Sequence, residues 1–159
     1  MEEIKFTKVK LEWGWLGNMS PHSIVYDGKI WKTSEALFQS LRFEDEEPKE
    51  IIRLENSPMG CKMKSKTLAK TYNRIVEPMS DRDIENMKMC VRLKIKQHPE
   101  LIDLLLKTGD SKIIEDATSR GRRGSNLFWG SIKLEDGSWE GENMMGKIWE
   151  EIRNEIKNK

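Results

Sequence analysis

Residues 30–43 constrain the fold most, because a tight turn precedes them and a helix begins within them. The dipeptide Asp27-Gly28 is a preferred pair in two-residue hairpin turns, so the residues on either side of it are predicted to form a β-hairpin. Thr33 or Ser34 then supplies a side-chain oxygen that can cap a helix. The pattern that follows is compatible with a helix to the end of the stretch. A hairpin that leads directly into a capped helix is therefore predicted.

Polar side chains form a row along one face of this helix. Glu35, Gln39 and Arg42 are separated by four and three residues, which places them on one side. Leu37 and Leu41 can face a core. A carboxylate, an amide and a guanidinium in one row suit a polar ligand that carries a ribose or a phosphate. On spacing alone, a solvent-exposed helix face is the more common explanation, with the carboxylate complementing the helix dipole.

Length and composition exclude several classes of protein. The 159 residues predict a single domain, 1–159, with a proper core. The 28 basic and 27 acidic residues leave a net charge of +1, so no overall field attracts nucleic acid or a membrane. No apolar run approaches the roughly 20 residues of a membrane helix, and the first residues lack the apolar core of a signal peptide. Cys61 and Cys90 form no C-x-x-C pair, so we expect a protein of the reducing cytoplasm without a disulfide framework.

The rest of the chain alternates between short strands and helices. The further predicted elements are a strand within Ile4 to Trp13, a helix begun by Pro48, a helix capped by Ser57, a helix with a Ser80–Asp83 capping box, a leucine-rich helix ended by Gly109, strands at 112–115 and 127–134, and a helix from about Glu142 to Ile156. These elements predict the α+β class, with one mostly helical domain around a small β-sheet.

Metal and cofactor motifs are not found in the sequence. His22, His98, Cys61 and Cys90 are scattered, and no pair has a zinc-type spacing. There is no phosphate loop of the G-x-x-x-x-G-K-S/T kind and no Rossmann fingerprint. We therefore expect that neither a divalent metal nor an organic cofactor is required.

One basic, glycine-rich segment could bind phosphate. Arg120, Arg122 and Arg123 lie on this segment, hereafter the arginine loop, and guanidinium groups can hold phosphate oxygens in pairs. A charged mobile loop and a contact with nucleic-acid phosphates are the alternatives.

Five short segments, in order along roughly residues 11 to 155, resemble the NADAR family. The segments are Leu16-Gly17-Asn18-Met19-Ser20, Trp31-x-Thr33-x-Glu35-Ala36-x-Phe38-Gln39, Ser57-Pro58-Met59-Gly60-Cys61-Lys62, Phe128-Trp129-Gly130 and Gly141-x-Asn143-x-x-Gly146-Lys147-x-x-x-x-x-Arg153. Each segment is weak alone, but five in the same order make a specific match.

The resemblance implies an enzyme that hydrolyses N-glycosidic bonds. Related proteins act on ribosylamino-pyrimidine phosphates of riboflavin synthesis, and others remove ADP-ribose from guanine bases. Such a bond breaks through a sugar cation of the oxocarbenium type, so the site needs an anion near the anomeric carbon, a means of activating water and help for the leaving base.

The resemblance also assigns site residues. Glu35 would be the catalytic carboxylate, and Lys62 a proton donor, an electrostatic stabiliser or a nucleophile toward the opened sugar. Trp129 would stack on the base. The expected substrate-binding residues are Asn18, Gln39, Arg42, Arg120, Arg122, Arg123, Asn126, Trp129 and Asn143.

One departure from the family pattern keeps three functions open. Many members have Asp three residues before the tryptophan of the W-G block, where this chain has Asn126, and an amide cannot act as a base. Asp116 lies upstream and could substitute. The chain is therefore expected to be an N-glycosidase of small ribosylated bases, an ADP-ribosyl hydrolase acting on modified nucleotides or nucleic acid, or a non-catalytic ADP-ribose or nucleotide-binding module. No membrane partner is expected.

Overall fold

The computed structural model describes residues 2–159, and the chain divides into two compact units. One unit is Asn18–His98, and the other is formed by residues 2–17 together with Pro99–Lys159. Helices and short two-stranded sheets make up both, which confirms the expected α+β class. The predicted single domain 1–159 stays a prediction.

The α-helices, in chain order, are α1 (Ser34–Ser40), α2 (Glu46–Leu54), α3 (Pro58–Leu68), α4 (Asp81–Gln97), α5 (Glu100–Lys107), α6 (Asn126–Trp129) and α7 (Met144–Lys157). The strands are β1 (Glu3–Phe6), β2 (Ile24–Tyr26), β3 (Lys29–Trp31), β4 (Lys112–Glu115), β5 (Ile132–Lys133) and β6 (Trp139–Glu140). Single 3-10 turns cover Gly14–Leu16 and Thr118–Arg120.

The unit Asn18–His98 contains the predicted hairpin and the helix after it. β2 and β3 pair antiparallel, and the turn has Asp27 at φ 52° and Gly28 at φ 75°, the left-handed values that such a turn requires. Thr33 caps α1 by accepting a hydrogen bond from the Ala36 N–H at 3.1 Å. α1 packs against α2, α3 and α4, so every one of its residues is buried. The helix ends at Ser40 and is therefore shorter than the predicted one.

Two of the predicted helix starts are confirmed, and a third differs. Ser57 caps α3 with Pro58 as the first helical residue, and Ser80 caps α4 by accepting from the Asp83 N–H at 3.3 Å. The other half of the predicted capping box, a hydrogen bond from the Ser80 N–H to the Asp83 carboxylate, is wrong. That carboxylate accepts instead from Arg42 and from the Met79 N–H. α2 begins at Glu46 rather than at Pro48, so two residues before the proline are already helical.

The other unit is built on a parallel pair of strands. β1 pairs with β4 in the register Glu3↔Lys112 to Phe6↔Glu115, and α7 packs on β4. Ile4 and Phe6 of β1 are buried, whereas the alternating residues are exposed. On α7, Met145, Ile148 and Ile152 are buried, whereas Ile156 near the end of the helix is only partly buried.

Two predicted strands of this unit are corrected. The strand expected within 4–13 ends at Phe6, because β4 offers only four partners and the chain then turns, with the Leu11 N–H donating to Lys8 O. The strand expected at 127–134 begins instead as α6, because Ser125 O accepts hydrogen bonds from the N–H groups of both Phe128 and Trp129. Only Ile132–Lys133 of that stretch is a strand.

Within residues 2–159, no helix is both long enough and apolar enough to cross a membrane. The same residues contain no group of three or more His, Cys, Asp or Glu side chains placed to hold a metal ion.

Candidate active site

Glu35 lies in the first turn of α1 with only 7% of its surface exposed. Its Oε1 accepts a hydrogen bond from Asn18 Nδ2 at 3.1 Å, and its Oε2 accepts one from Gln39 Nε2 at 2.6 Å. An ionised carboxylate only accepts hydrogen bonds, and here one amide donor serves each oxygen. Among the described residues, the carboxylate is therefore fixed in position by two neutral side chains and by no ion pair.

Asn18 is bound to the start of α1 through its backbone as well. Its carbonyl oxygen accepts from the Glu35 N–H at 3.0 Å and from Ser34 Oγ at 2.9 Å. Its side-chain Oδ1 is buried and has no hydrogen-bond partner among the described residues. A buried acceptor without a donor is costly, so a ligand hydroxyl or amine would be a favourable partner beside Glu35.

Gln39 and Arg42 continue the row away from Glu35. Gln39 Oε1 accepts a hydrogen bond from Arg42 Nη1 at 3.1 Å, so four of the predicted site residues form one continuous chain of hydrogen bonds. Gln39 is 4% exposed and Arg42 is 8% exposed. The interpretation of this row as a solvent-exposed helix face is therefore wrong, because α2, α3 and α4 cover α1.

Lys62, the other predicted catalytic residue, lies on α3 directly after the buried Cys61. It is half-buried and makes no hydrogen bond or ion pair with another described residue. α3 packs against α1, the helix that carries Glu35. Lys62 is thus placed on an element adjoining the helix of the carboxylate, with an uncommitted ammonium group.

Neither cysteine offers a thiolate nucleophile. Burial, followed by the negative charge of Glu35, raises the pKa of the Cys61 thiol to about 11. Burial also raises the pKa of Cys90 far above its usual range, with Glu35 and Asp83 adding to the effect. Both thiols are free and remain protonated at neutral pH.

The arginine loop, which lies in the unit that contains Pro99–Lys159, is held by acidic side chains. Arg120 Nη2 lies 3.3 Å from Glu115 Oε2, and Arg122 forms an ion pair with Glu140. Arg123 is exposed and has no such partner among the described residues. All three arginines lie on the surface of their unit, where a phosphate could exchange for the carboxylates.

Asn126, at the position of the family's aspartate, organises this loop. Its Nδ2 donates to Gly121 O at 2.9 Å and to Arg120 O at 3.3 Å. An ionised aspartate has no hydrogen to donate to these carbonyl groups, so the amide of Asn126 suits the arginine loop. Asp116, the suggested substitute, uses its Oδ1 to accept from the Thr118 N–H at 2.9 Å.

Trp129 and Asn143 are both mostly buried in the unit that contains Pro99–Lys159. Trp129 is 8% exposed and meets Phe128 edge-on, with ring centroids 4.9 Å apart. Asn143 bridges to β4, because its Oδ1 accepts from the Glu115 N–H and its Nδ2 donates to Ile113 O, each at 2.9 Å. These two bonds give the Asn143 side chain a structural task.

Two buried charged residues were not identified from the sequence. Asp83 is fully buried and pairs with Arg42, which lies 41 positions earlier, so no local pattern indicated the contact. Lys94 is 1% exposed, and burial lowers its pKa to about 7. It follows Val91 by three residues in the apolar stripe of α4, and that periodicity was the available signal.

Comparison with known proteins assigns the chain to a family. The NADAR domain matches residues 5–157 and thus runs through both units. The chain belongs to the NADAR family, which confirms the resemblance carried by the five segments. The fold agrees with the solution structure of the Escherichia coli protein YbiA at a TM-score of 0.76 and 28% identity, covering 99% of this chain and 86% of that one.

Relatives with curated names indicate the class of reaction. The chain is 32% identical to N-glycosidase YbiA of Escherichia coli (strain K12), over 96% of this chain and 88% of the relative. It is 28% identical to N-glycosidase Npun_R5314 of Nostoc punctiforme, over 98% and 93%. It is 29% identical to riboflavin biosynthesis protein VVA0006 of Vibrio vulnificus, over 90% of this chain but 35% of that protein. The expectation of a hydrolase that acts on glycosyl bonds is confirmed at the level of these relatives.

Proposed function

We propose that this chain is an N-glycosidase that hydrolyses the C–N bond between a ribose and the amino nitrogen of a pyrimidine, as in ribosylamino-pyrimidine phosphates. The observation that carries the proposal is the buried Glu35 carboxylate, which side-chain amides hold at both oxygens. The names of the relatives from Escherichia coli and Nostoc punctiforme support the reaction type. The name of the Vibrio vulnificus relative supports a ribosylated intermediate of riboflavin synthesis as substrate.

Glu35 supplies the negative charge that the reaction needs. As the C–N bond breaks, its electron pair goes to the nitrogen and positive charge develops on the sugar ring. A fixed, poorly solvated carboxylate stabilises that charge more strongly than an exposed one. The same carboxylate takes one proton from the water whose oxygen bonds to the anomeric carbon.

Lys62 and Asn18 complete the proposed reaction. The ammonium of Lys62 donates a proton to the departing nitrogen, so that the base leaves as a neutral amine and the proton balance closes with the one taken by Glu35. Asn18 Oδ1, a buried acceptor without a protein donor, receives a ribose hydroxyl beside the carboxylate.

ADP-ribosyl hydrolysis is the second candidate, and the arginine loop favours it. Three exposed guanidinium groups in four residues match a diphosphate better than a single phosphate. With a net charge of +1, the chain has no broad field for an extended nucleic acid, so the polymer would enter only as a modified substrate. We assign phosphate binding to Arg120, Arg122 and Arg123, with Trp129 as the aromatic partner of the base.

Product analysis with matched variants tests the proposal. The purified protein is incubated with a ribosylamino-pyrimidine phosphate and, separately, with ADP-ribosylated guanosine, and free ribose phosphate or free ADP-ribose is quantified. Glu35→Gln keeps the hydrogen-bonding reach but removes the charge, so kcat should fall roughly 10²–10⁴-fold with little change in KM. Glu50→Gln, at a half-exposed position of α2 in the same unit, is the control and should retain full turnover.

Each outcome identifies one function. If the native protein releases ribose phosphate and Glu35→Gln does not, the N-glycosidase of small ribosylated bases is supported. If the native protein releases ADP-ribose, the second candidate is supported. Near-normal turnover by Glu35→Gln would show that the carboxylate is not catalytic. A native protein that binds ADP-ribose but releases neither product would be the non-catalytic binding module.

A further inference from the structure

The guanidinium group of Arg42 is almost entirely engaged within the protein. Its Nε donates to Asp83 Oδ1 at 3.0 Å and its Nη2 to Asp83 Oδ2 at 2.7 Å, which makes a two-pronged pair. Its Nη1 donates to Gln39 Oε1 at 3.1 Å, and its Cζ lies over the Phe38 ring, 4.7 Å from the ring centre. Arg42 is therefore placed to hold other side chains rather than to reach a substrate.

Asp83 anchors this arrangement from α4. It is fully buried, and its Oδ2 also accepts a hydrogen bond from the Met79 N–H at 2.8 Å. Removing two charges from water costs free energy that a well-packed apolar pair would not, so stability alone does not explain a buried ion pair. Such a pair does fix geometry, because the fork of Arg42 and the carboxylate of Asp83 match in only one orientation.

The orientation of the Gln39 amide follows from Arg42. A guanidinium group has only donors, so the end of Gln39 that faces it must be the oxygen. The NH₂ end must then face the other way, where it donates to Glu35 Oε2 at 2.6 Å. Arg42 and the carboxylate thus favour the same orientation of the amide, and without Arg42 only the carboxylate would hold Gln39 in place.

We infer that Arg42, fixed by Asp83, is a positioning residue that orients Gln39 to donate to the Glu35 carboxylate. The inference rests on the proposed function in one respect, namely that Glu35 is the catalytic carboxylate. It changes the role expected for Arg42 from binding substrate to acting through Gln39. The chain Asp83–Arg42–Gln39–Glu35 links α4 to the reacting group within one unit of the fold.

Two variants interrupt the chain at different points. Gln39→Met keeps the length of the side chain and the ion pair of Arg42 with Asp83 but removes the donor to Glu35. Arg42→Lys keeps a positive charge opposite Asp83, but a single ammonium does not reproduce the planar fork and the contact with Gln39. We expect kcat for a ribosylamino-pyrimidine phosphate to fall roughly 10- to 100-fold in each, the scale for loss of an outer partner of an active-site group, with KM nearly unchanged.

A double variant separates positioning from a structural role. If Gln39 acts only through Glu35, then Glu35→Gln with Gln39→Met has the same kcat as Glu35→Gln alone. If Gln39 merely supports the fold, the two losses multiply. Arg53→Lys is the matched control, because Arg53 makes the same two-pronged contact with Glu50 on α2, with both distances 2.7 Å, but does not touch Glu35. Its turnover should be unchanged.

The results distinguish failure of the inference from failure of the proposed function. Turnover within twofold of native in folded Arg42→Lys or in Gln39→Met, with Glu35→Gln strongly impaired, would overturn the positioning role and leave the proposed function intact. Multiplying losses in the double variant would also overturn it. Native turnover in Glu35→Gln would reject the proposed catalytic role of Glu35, and the inference that rests on it would fall with it. If Arg42→Lys does not fold, Asp83→Asn tests the same step, because it keeps the size of Asp83 and removes the charge that fixes Arg42. Native turnover in Asp83→Asn would overturn the inference.

Discussion

The charge state of one buried side chain, Lys94, should make the stability of the protein depend on pH. Burial lowers the pKa of Lys94 from 10.5 to about 7 in the folded chain. Between these values the unfolded chain binds a proton that the folded chain does not, so the free energy of unfolding rises with pH. From pH 7 to 8.5 the rise should be roughly 1–2 kcal/mol. Urea denaturation at several pH values measures it.

Replacing the lysine identifies the source of this pH dependence. Lys94→Met keeps an unbranched side chain without an ionisable group, and we expect the rise between pH 7 and 8.5 to disappear. Lys96→Met on the same helix, at an exposed position, should retain it. An unchanged rise in Lys94→Met would mean that another group titrates.

At the scale of single residues, the sequence predicted the row of Glu35, Gln39 and Arg42 correctly but not its environment. Helical spacing is a local property, and it places these side chains on one face whether or not another helix covers that face. Burial of the row depends on the packing of α2, α3 and α4, and Arg42 pairs with a residue 41 positions later. Lys94 could have been noticed, because a lysine at an apolar position of a helix interrupts a regular stripe.

At the scale of elements, Gly146 allows α7 to lie directly against β4. A Cβ atom at this position would come within 2.0 Å of Ile113 O and 2.4 Å of Asn143 Nδ2. Backbone carbonyl groups in a strand cannot move aside, so Gly146→Ala should lower the free energy of unfolding by about 1–3 kcal/mol. Thermal or urea denaturation measures the loss.

Gly60 of α3 is the matched control, because it is also a helical glycine with a close neighbour. There a Cβ atom would meet the carboxylate end of the Glu55 side chain at 2.7 Å, and that side chain can rotate away. Alanine also favours the helix, so Gly60→Ala should stay within about 1 kcal/mol of native. Equal destabilisation by both substitutions would contradict the close approach of α7 to β4.

Elements with a strong local cause were predicted well, and those that depend on a partner were not. The Asp27-Gly28 turn and the Ser57 cap need only their own backbone geometry and hydrogen bonds, and both occur as expected. The length of β1 is set by β4, which lies more than a hundred residues later. The apolar run at 127–134 is compatible with both a strand and a helix, and periodicity alone does not decide between them.

At the scale of the whole molecule, the first residues of the chain belong to the same unit as the last. β1 pairs with β4, and Leu16 O accepts a hydrogen bond from the buried Trp149 Nε1 on α7 at 2.9 Å. The ring of Trp15 also packs edge-on against Trp149, with centroids 5.6 Å apart. The unit that contains α7 is therefore incomplete without the residues before Asn18.

Deletion of residues 2–17 should consequently unfold a region at the other end of the sequence. Removing β1 and Leu16 uncovers β4 and leaves the indole N–H of Trp149 without its acceptor, so the amides of β4 and α7 should lose their protection against hydrogen exchange. Deletion of residues 158–159, which lie beyond α7, is the control and should leave the protection unchanged. Amides of Asn18–His98, followed in the same experiment, test the predicted single domain, because simultaneous loss in both units is expected of one cooperative domain. Persistent protection of β4 and α7 after the deletion would contradict the dependence of this unit on the start of the chain.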